Sequence, residues 1–361
     1  MSKKSIAGVL CLLVISGSVM ARGDGADTVF NKKHVTAIMQ KVFNWQLSNP
    51  VVKNANNGDD WARAVFYAGI MRAYKYTKEP AYLGAAVKWS ESLNYQLAKR
   101  LRHADDHTRG QTFLEIYEYK KDKAMIAHTR AVYDSLIATP KKGRDEWWWC
   151  DALFMSPPVL AHLAKITGDT RYSNFMSEMW WDTTDFLFDR EENLFYRDKS
   201  YFDRKTANGK KIFWSRGNGW VMGGLVQVLE YLPKKDPNYS KYVELYKKMA
   251  AKLVTLQQPD GFWRPSLLDA QEVTNKEASG TSFFVFSLAW GINHKLLDAA
   301  TYKPAVKKGW KALTEIVEPS GKLTWVQQIG AKPETVKQTD NQEYGSGAFL
   351  MAGTEMMKLK K

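Results

Sequence analysis

Residues 61–93 read WARAVFYAGIMRAYKYTKEPAYLGAAVKWSESL, and the spacing of their apolar side chains decides the fold. Apolar residues recur every three or four positions over residues 61–76 and again over residues 82–93, as on one face of a helix. A polar turn at residues 77–80 separates the two runs, and Pro80 is well suited to a helix start. The stretch therefore predicts two antiparallel helices joined by a tight turn.

The same pattern of helix, turn and helix returns at residues 154–179, 231–239 and 291–302. Polar or glycine-rich loops that run into an apolar helix occur at six places: Asp60-Trp61, Gly110-Gln111, Cys150-Asp151, Gly219-Trp220, Gly280-Thr281 and Gly347-Ala348. These starts are about 40 to about 70 residues apart, which leaves room for one helical hairpin and a variable loop each time.

Six hairpins predict an all-α fold, an (α/α)6 barrel with six inner helices that begin on one face. An open solenoid is the alternative, although solenoid repeats are more uniform in length. In the barrel, the positive dipole ends and free N–H groups of the inner helices would point into one pocket. Such a pocket suits a carboxylate ligand.

Aromatic residues are in excess among the 361 residues, with 14 Trp, 17 Tyr and 16 Phe. That density suits either a large helical core or a cleft that stacks against sugars. The formal net charge of +14 would attract an anionic partner, although a scattered solvated surface explains it equally well. We expect no nucleic-acid partner, because no block of basic residues resembles a nucleic-acid-binding arm.

The first 21 residues have the features of a secretory signal peptide. Lys3 and Lys4 precede an apolar run at residues 6–15, which is too short to span a bilayer, and small residues favour cleavage after Ala21. We therefore predict an exported protein, periplasmic or extracellular, with no membrane span and a mature net charge of about +12. Residues 22–361 form a single catalytic domain in this interpretation, and we expect a monomer. Cys150 would be its only cysteine, which excludes an intrachain disulfide.

The run of residues 147–151, WWWCD, is the strongest candidate for chemistry. Asp151 opens a helix, and a carboxylate at that position is commonly an N-cap. Three tryptophans beside one carboxyl also form an apolar wall, which raises the pKa of an acid as a general acid requires. The helix dipole acts in the opposite direction, so both interpretations stay open.

A second candidate segment is residues 103–111, HADDHTRGQ, which also precedes an inner helix. Asp105 and Asp106 either cap that helix or supply a second carboxylate for acid–base chemistry. A metal site is not expected, because Asp105 and His107 have no third ligand at a suitable spacing. We expect no cofactor.

A third candidate segment is residues 214–220, WSRGNGW. Arg216 could hold a carboxylate through two parallel hydrogen bonds, with Trp214 and Trp220 as stacking platforms on either side. The alternative is a buried turn at a helix start. Trp61 and Arg197 are weaker candidates that lie near the predicted pocket face.

In chain order, the runs ADDHxxGQ, WWWCDALFMSPP and WSRGNGW and the closing YGSGAFLMAG resemble glycoside hydrolase family 105. That family comprises unsaturated rhamnogalacturonyl hydrolases and is related to the unsaturated glucuronyl hydrolases of family 88. The resemblance covers nearly all of residues 22–361. It implies an (α/α)6 barrel, which agrees with the six helix starts.

The resemblance also implies a reaction. Such enzymes remove a 4,5-unsaturated uronic acid, galacturonyl or glucuronyl, from the non-reducing end of oligosaccharides that polysaccharide lyases release, for example from pectic rhamnogalacturonan. An aspartate protonates C4, water adds at C5, and the hemiketal breaks down and releases the sugar.

By motif, the catalytic aspartate is Asp151 and the second carboxylate is Asp106, with Asp105 beside it in the substrate site. The other implied substrate-binding residues are Trp149, Met155, Arg197, Trp214, Arg216, Trp220 and Trp61. Some relatives have a histidine in the loop that here reads LFYRD at residues 194–198. Arg197 could replace it as the contact to the substrate carboxylate.

Two other functions remain possible from the sequence. A polysaccharide lyase on the same barrel would create the unsaturated bond rather than remove it. A non-catalytic protein could bind acidic glycans in the tryptophan-rich pocket.

Overall fold

The computed structural model describes residues 28–51 and 60–360. Fifteen α-helices lie in these ranges: α1 (Lys32–Ser48), α2 (Asp60–Thr77), α3 (Pro80–Ser92), α4 (Ala104–His107), α5 (Arg109–Lys120), α6 (Ala124–Ala138), α7 (Gly143–Glu146), α8 (Ala152–Met155), α9 (Pro157–Thr167), α10 (Thr170–Leu187), α11 (Ser215–Tyr231), α12 (Tyr239–Val254), α13 (Ala278–Asn293), α14 (Ala299–Glu315) and α15 (Glu343–Lys358). Two-residue strands β1 (Phe188–Asp189) and β2 (Leu194–Phe195) pair antiparallel, and Thr28–Phe30 and Lys199–Tyr201 form 3-10 turns.

Six helices form a closed inner ring. α2 contacts α5, α5 contacts α9, α9 contacts α11, α11 contacts α13, α13 contacts α15, and α15 returns to α2. The outer helices α1, α3, α6, α10, α12 and α14 pack against this ring. The predicted (α/α)6 barrel is confirmed, and an open solenoid is excluded because the first and last inner helices touch.

Each predicted hairpin has its counterpart in the structure. The turn at residues 77–80 joins α2 to α3, and residues 168–169 join α9 to α10. Gly168 takes a positive φ of 74°, which ends α9 in the conformation that glycine adopts without strain. α11 ends at Tyr231 and α12 begins at Tyr239, as the third copy of the pattern predicts.

Two of the predicted helix starts are one turn too late. α11 begins at Ser215 rather than near Gly219, and α15 begins at Glu343 rather than near Gly347. Both glycines lie inside their helices, where they permit close packing rather than a turn. A Cβ on Gly347 would lie 2.5 Å from the carbonyl oxygen of Val65.

At the predicted helix start Cys150-Asp151, the chain forms two successive helices. Asp151 is followed by the single-turn helix α8, and the inner helix α9 begins only at Pro157. Pro157 is compatible with a first helical turn, where the missing N–H removes no hydrogen bond. In the loop after α10, residues 194–195 form β2.

A buried cluster of charged residues links inner helices near their C-terminal ends. Arg72 of α2 contacts Glu230 of α11 at 2.6 Å and Glu355 of α15 at 2.9 Å. Arg72 and burial act in opposite directions on the pKa of Glu230, and the net effect lowers it to about 2. Breaking such a buried pair leaves an uncompensated charge, so this cluster fixes three helices relative to one another.

None of the helices in residues 28–51 and 60–360 has the length and apolar character needed to cross a membrane. The predicted signal peptide lies outside the described residues, and the single-domain prediction for residues 22–361 stays a prediction.

The contact between α2 and α15 gives a first test of the fold. A Cβ on Gly69 would lie 2.4 Å from the carbonyl oxygen of Gly347. We therefore expect Gly69→Ala to lower the free energy of unfolding by about 2 kcal/mol or more, measured by urea unfolding.

Gly84 provides the matched control. It is exposed in α3, and nothing lies within 4 Å of an added Cβ. Gly84→Ala should raise the free energy of unfolding by about 0.5–1 kcal/mol, because alanine is the better helix former. Equal effects of the two substitutions would contradict a tight contact at Gly69.

Candidate active site

Two single-turn helices bring separate carboxylates together at one mouth of the barrel. α4 carries Asp105 and Asp106, and α8 follows directly after Asp151. α4 packs on α8, which also contacts α9 and α11. Each short helix immediately precedes an inner helix, so these carboxylates lie near the inner-helix N-termini, as the sequence predicts.

Asp151 is buried but does not cap its helix. Its side chain makes no capping hydrogen bond to α8, which argues against a purely structural N-cap. The thiol of Cys150 donates to its Oδ1 at 3.3 Å. Burial raises the pKa of Asp151, while the positive charges of Arg197 and Arg216 act to lower it. The carboxyl is therefore suited to carry a proton and to donate it.

Asp105 is electrostatically linked to Asp151. Burial raises the pKa of Asp105 to about 7, and the negative charge of Asp151 contributes in the same direction. The His103 Nδ1 atom lies 3.6 Å from the Asp105 carboxylate. Near neutral pH, Asp105 is therefore protonated to a much greater extent than an isolated carboxyl would be.

Asp106 has a different environment, although it is adjacent in sequence. Its carboxylate accepts hydrogen bonds from the Arg100 backbone N–H at 2.6 Å and from the Arg100 Nη2 at 2.6 Å. The Asp106 carbonyl also accepts from the Ala98 N–H at 3.2 Å. Asp106 therefore shapes the loop before α4, and the geometry favours Asp105 over Asp106 as the second carboxylate.

Arg216 is fully buried between two aromatic rings. Its guanidinium carbon lies 4.3 Å from the Trp214 ring centre and 4.8 Å from the Tyr344 ring centre. Its terminal nitrogens donate to the carbonyls of Gln327 and Gln328 at 3.0 and 3.1 Å. Trp214 is buried too, and its indole N–H donates to the Gln327 side chain at 2.9 Å. These residues hold the segment around 327–328 against α11.

Trp220 is fully buried, so its ring is not a free stacking platform. It packs against Phe154 and Phe283 at ring-centre distances of 4.9 and 4.5 Å. Trp61 covers it at 5.9 Å and stacks on Tyr344 at 5.2 Å. Because Trp61 is only partly buried, it presents the accessible aromatic surface of this cluster.

Trp149 and Met155 are buried on either side of Asp151. The Trp149 ring lies 4.8 Å from the His103 ring and 4.8 Å from the Trp148 ring. The Met155 sulfur accepts a hydrogen bond from the Thr108 hydroxyl at 3.1 Å. Both residues therefore contact the two ends of α4, and neither is exposed to a ligand in this structure.

Arg197 lies in the loop after β2, beside Asp151. Its backbone carbonyl accepts from the Cys150 N–H at 2.8 Å, and its Nη1 donates to Asp198 at 2.7 Å. The guanidinium lies 5.1 Å from the ring centre of Trp148, which is 41% exposed. Trp148 and Arg197 together thus present an aromatic face and a cation next to the carboxyl pair.

A cleft of about 880 Å³ opens beside Asp105 and Trp61. Its volume lies within the range of small-molecule binding sites, and it is large enough for an oligosaccharide of a few sugars. The residues along the cleft are mostly polar, and they include Asn94, Lys99 and His128.

The structure also shows residues that the motifs alone did not indicate. Trp148 is exposed whereas its neighbours are buried, and His103 approaches Asp105. Asn218 holds β2 through both backbone groups of Phe195, at 2.8 and 3.0 Å. The only sequence signal for this role of Asn218 is its position inside the WSRGNGW motif. Within residues 28–51 and 60–360, no group of three or more metal-ligating side chains is arranged to hold an ion.

Comparisons with known proteins identify the family of the chain. A protein of Formosa agariphila named unsaturated 3S-rhamnoglycuronyl hydrolase is 39% identical over 378 residues, covering 99% of this chain and 100% of the relative. A solved structure from Bacteroides vulgatus, named glycosyl hydrolase family 88, is 30% identical with a TM-score of 0.85, covering 91% of this chain and 100% of its own.

Another solved structure, named a polysaccharide lyase, is 34% identical with a TM-score of 0.84 and covers 90% of this chain and 97% of its own. The profile of Glycosyl Hydrolase Family 88 matches residues 31–360. Since this match includes every helix of the barrel, the chain belongs to glycosyl hydrolase family 88.

Proposed function

We propose that this protein is an unsaturated uronyl hydrolase, which removes a 4,5-unsaturated uronic acid from the non-reducing end of an oligosaccharide. The observation that carries the proposal is the placement of buried Asp151 near Asp105, because burial raises the pKa of both carboxyls and Asp105 borders a cleft of oligosaccharide size. Hydration of a C4=C5 double bond needs a proton from such a carboxyl, because the alkene has to be protonated before water adds.

Asp151 is the proton donor in this mechanism. It transfers its proton to C4, and the positive charge that develops at C5 and the ring oxygen is stabilised by the carboxylates of Asp151 and Asp105. Water then adds at C5 and gives its proton back to the pair. The C5 hemiketal opens, the hemiacetal at C1 collapses, and the leaving sugar departs as an alcohol, with one water consumed.

Asp105 acts as the partner that keeps the proton on the pair. Its pKa of about 7 means that one proton is retained near neutral pH, where an isolated carboxyl would be ionised. Burial raises the pKa of Asp151, and the charges of Arg197 and Arg216 oppose that effect. These charges therefore stabilise the Asp151 carboxylate after the proton is transferred.

The substrate class follows from the chemistry of the unsaturated ring and from the relative. Elimination makes both C4 and C5 planar, so uronates that differ only at C4 give the same ring, and the anomeric linkage and leaving sugar decide specificity. The Formosa relative is named for a rhamnoglycuronyl substrate. We infer that rhamnose, with or without sulfate at O3, is also the leaving sugar here. Pectin-derived galacturonyl chains are then not the specific substrate.

A lyase is the competing activity, because one similar solved structure is named a polysaccharide lyase. A lyase needs a base that removes the C5 proton. The Tyr344 hydroxyl is occupied as donor to the Gln327 carbonyl, and burial raises the pKa of Tyr344. The carboxyl pair is suited to donate a proton rather than to remove one at C5.

The export prediction is kept as part of this proposal. We propose that the chain is cleaved after Ala21 and acts as a monomer outside the cytoplasm, on fragments that lyases release. N-terminal sequencing of the protein from the expressing cell's periplasm or medium should begin at Arg22. Retention of Met1 in exported protein would contradict the cleavage site.

Ultraviolet absorbance of the unsaturated uronate tests the activity. Wild-type protein should remove the absorbance of an unsaturated uronyl-rhamnose disaccharide, and Asp151→Asn should lower kcat by about 10²- to 10⁴-fold, the usual contribution of a general acid.

The matched control is Asp185→Asn, since Asp185 is 61% exposed and pairs only with Arg190 among the described residues. It should retain wild-type kcat. Rising absorbance with an intact glycan would indicate a lyase. Binding without turnover on any unsaturated uronyl substrate would indicate a glycan-binding protein.

The raised pKa of Asp105 predicts a dependence of stability on pH. The folded state keeps a proton up to about pH 7, whereas the unfolded chain loses it near pH 4. The contribution of Asp105 to the free energy of unfolding should therefore fall as pH rises from about 4 to about 7. Asp105→Asn should remove about 2–4 kcal/mol of that fall, measured by urea unfolding at several pH values.

The kinetic counterpart is a loss of kcat in the wild type above about pH 7, as the pair gives up its last proton. Identical pH dependence of unfolding in wild type and Asp105→Asn would contradict the assignment of this proton to the Asp105–Asp151 pair.

A further inference from the structure

The arginine that the motifs favour as the carboxylate ligand has no pair of free nitrogens to offer. Both terminal nitrogens of Arg216 donate to the backbone carbonyls of Gln327 and Gln328. Only its Nε has no partner, and the side chain is 1% exposed. A bidentate contact to a carboxylate needs two parallel N–H groups, so Arg216 would have to break its contacts to make one.

Arg197 has the opposite arrangement. Its Nη1 is held by Asp198 at 2.7 Å, and its Nε is buried without a partner. Its Nη2 makes no hydrogen bond to any residue in the described ranges. The side chain is 19% exposed. The edge formed by Nε and Nη2 is the geometry that receives a carboxylate through two parallel bonds.

The backbone holds Arg197 in place on two sides. The side chain of Asn218 accepts from the Phe195 N–H and donates to the Phe195 carbonyl, which fixes β2 two residues before Arg197. On the other side, the Arg197 carbonyl accepts from Cys150, next to Asp151. The guanidinium position is therefore tied to the position of the proton donor.

The chemistry of the substrate requires this proximity. The carboxylate is attached to C5, and C5 is bonded to the C4 that accepts the proton. A residue that binds the carboxylate must therefore lie near the proton donor. The backbone of Arg197 is bonded to that of Cys150, and its charge acts on the Asp151 carboxyl. Its charge would also offset the repulsion between the substrate carboxylate and the carboxylate pair.

We propose that Arg197, rather than Arg216, binds the substrate carboxylate through its Nε–Nη2 edge, with the exposed Trp148 ring as the adjoining sugar-stacking surface. This inference rests on the proposed function in taking the ligand to be an unsaturated uronate. Arg216 is then a positioning residue, which holds the segment around residues 327–328.

The test compares a substrate that has the carboxylate with one that lacks its charge. The probes are the unsaturated glucuronyl-rhamnose disaccharide and its methyl ester, which keeps the double bond. Arg197→Gln should lower kcat/KM for the acid about 10- to 100-fold, as expected for losing a hydrogen-bonded charged contact. It should change kcat/KM for the ester less than about 3-fold. Arg197→Lys should recover only part of the loss, because lysine keeps the charge without the fork.

Arg204→Gln is the matched control, since Arg204 lies on the same loop, is exposed and contacts Tyr201 rather than the site. It should leave both substrates unaffected. Equal losses for acid and ester in Arg197→Gln would mean that Arg197 only supports the structure, and would overturn the proposal.

A binding measurement distinguishes failure of this inference from failure of the proposed function. With Asp151→Asn as the shared background, calorimetry should show that Arg197→Gln raises Kd for the acid about 10- to 100-fold and leaves Kd for the ester unchanged. If wild type turns over no unsaturated uronide but shows this pattern, the function fails and the carboxylate assignment holds. If turnover occurs and the Kd for the acid does not depend on Arg197, the assignment fails alone.

Discussion

The close contact between the first and last inner helices is the constraint on which the structure depends. At Gly69 and Gly347, α2 and α15 approach so closely that each glycine faces backbone atoms of the other helix. Without this contact the six hairpins would form an open array, and the loops at their N-terminal ends would not face one another. Closing the ring turns residues distant in sequence into neighbours, as in the cluster of Trp61, Trp220 and Tyr344. The charged cluster around Arg72 links α2, α11 and α15 at the opposite end.

Within that mouth, burial rather than any single hydrogen bond gives the carboxyl pair its chemistry. Asp151 and Asp105 come from different hairpins, and α4 and α8 bring them together because those short helices pack on each other. Burial removes water from the pair, which favours the protonated form. Nearby arginines keep the effect moderate at Asp151. A carboxyl left in water would be ionised at neutral pH and could not protonate an alkene.

The sequence could predict the barrel, since helical periodicity is repeated over the whole chain and each turn has its own polar residues. It could also identify the three segments that converge, because each combines a loop with a helix start. It could not distinguish Asp105 from Asp106, because adjacent residues on a one-turn helix point in different directions, and only packing decides which one faces Asp151. Nor could it show that Trp220 and Arg216 are buried while Trp148 is exposed, since indole and guanidinium groups suit either a core or a ligand site. The sequence alone also places Gly219 and Gly347 in loops, because glycine permits both turns and close helix contacts.

The roles within WSRGNGW show how a motif can serve a site without touching the ligand. Arg216 binds backbone carbonyls at residues 327 and 328, and Asn218 binds both backbone groups of Phe195. The start of α11 therefore holds two loops, the one around residues 327–328 and the one that contains Phe195. Because a carboxylate ligand needs a guanidinium that is both fixed and unoccupied, the fixed but occupied Arg216 cannot fill that role. Arg197 can, since Asn218 supplies the fixation through the backbone and leaves its side-chain edge free. The motif that most resembles a ligand site is thus the framework that positions the ligand-binding arginine elsewhere.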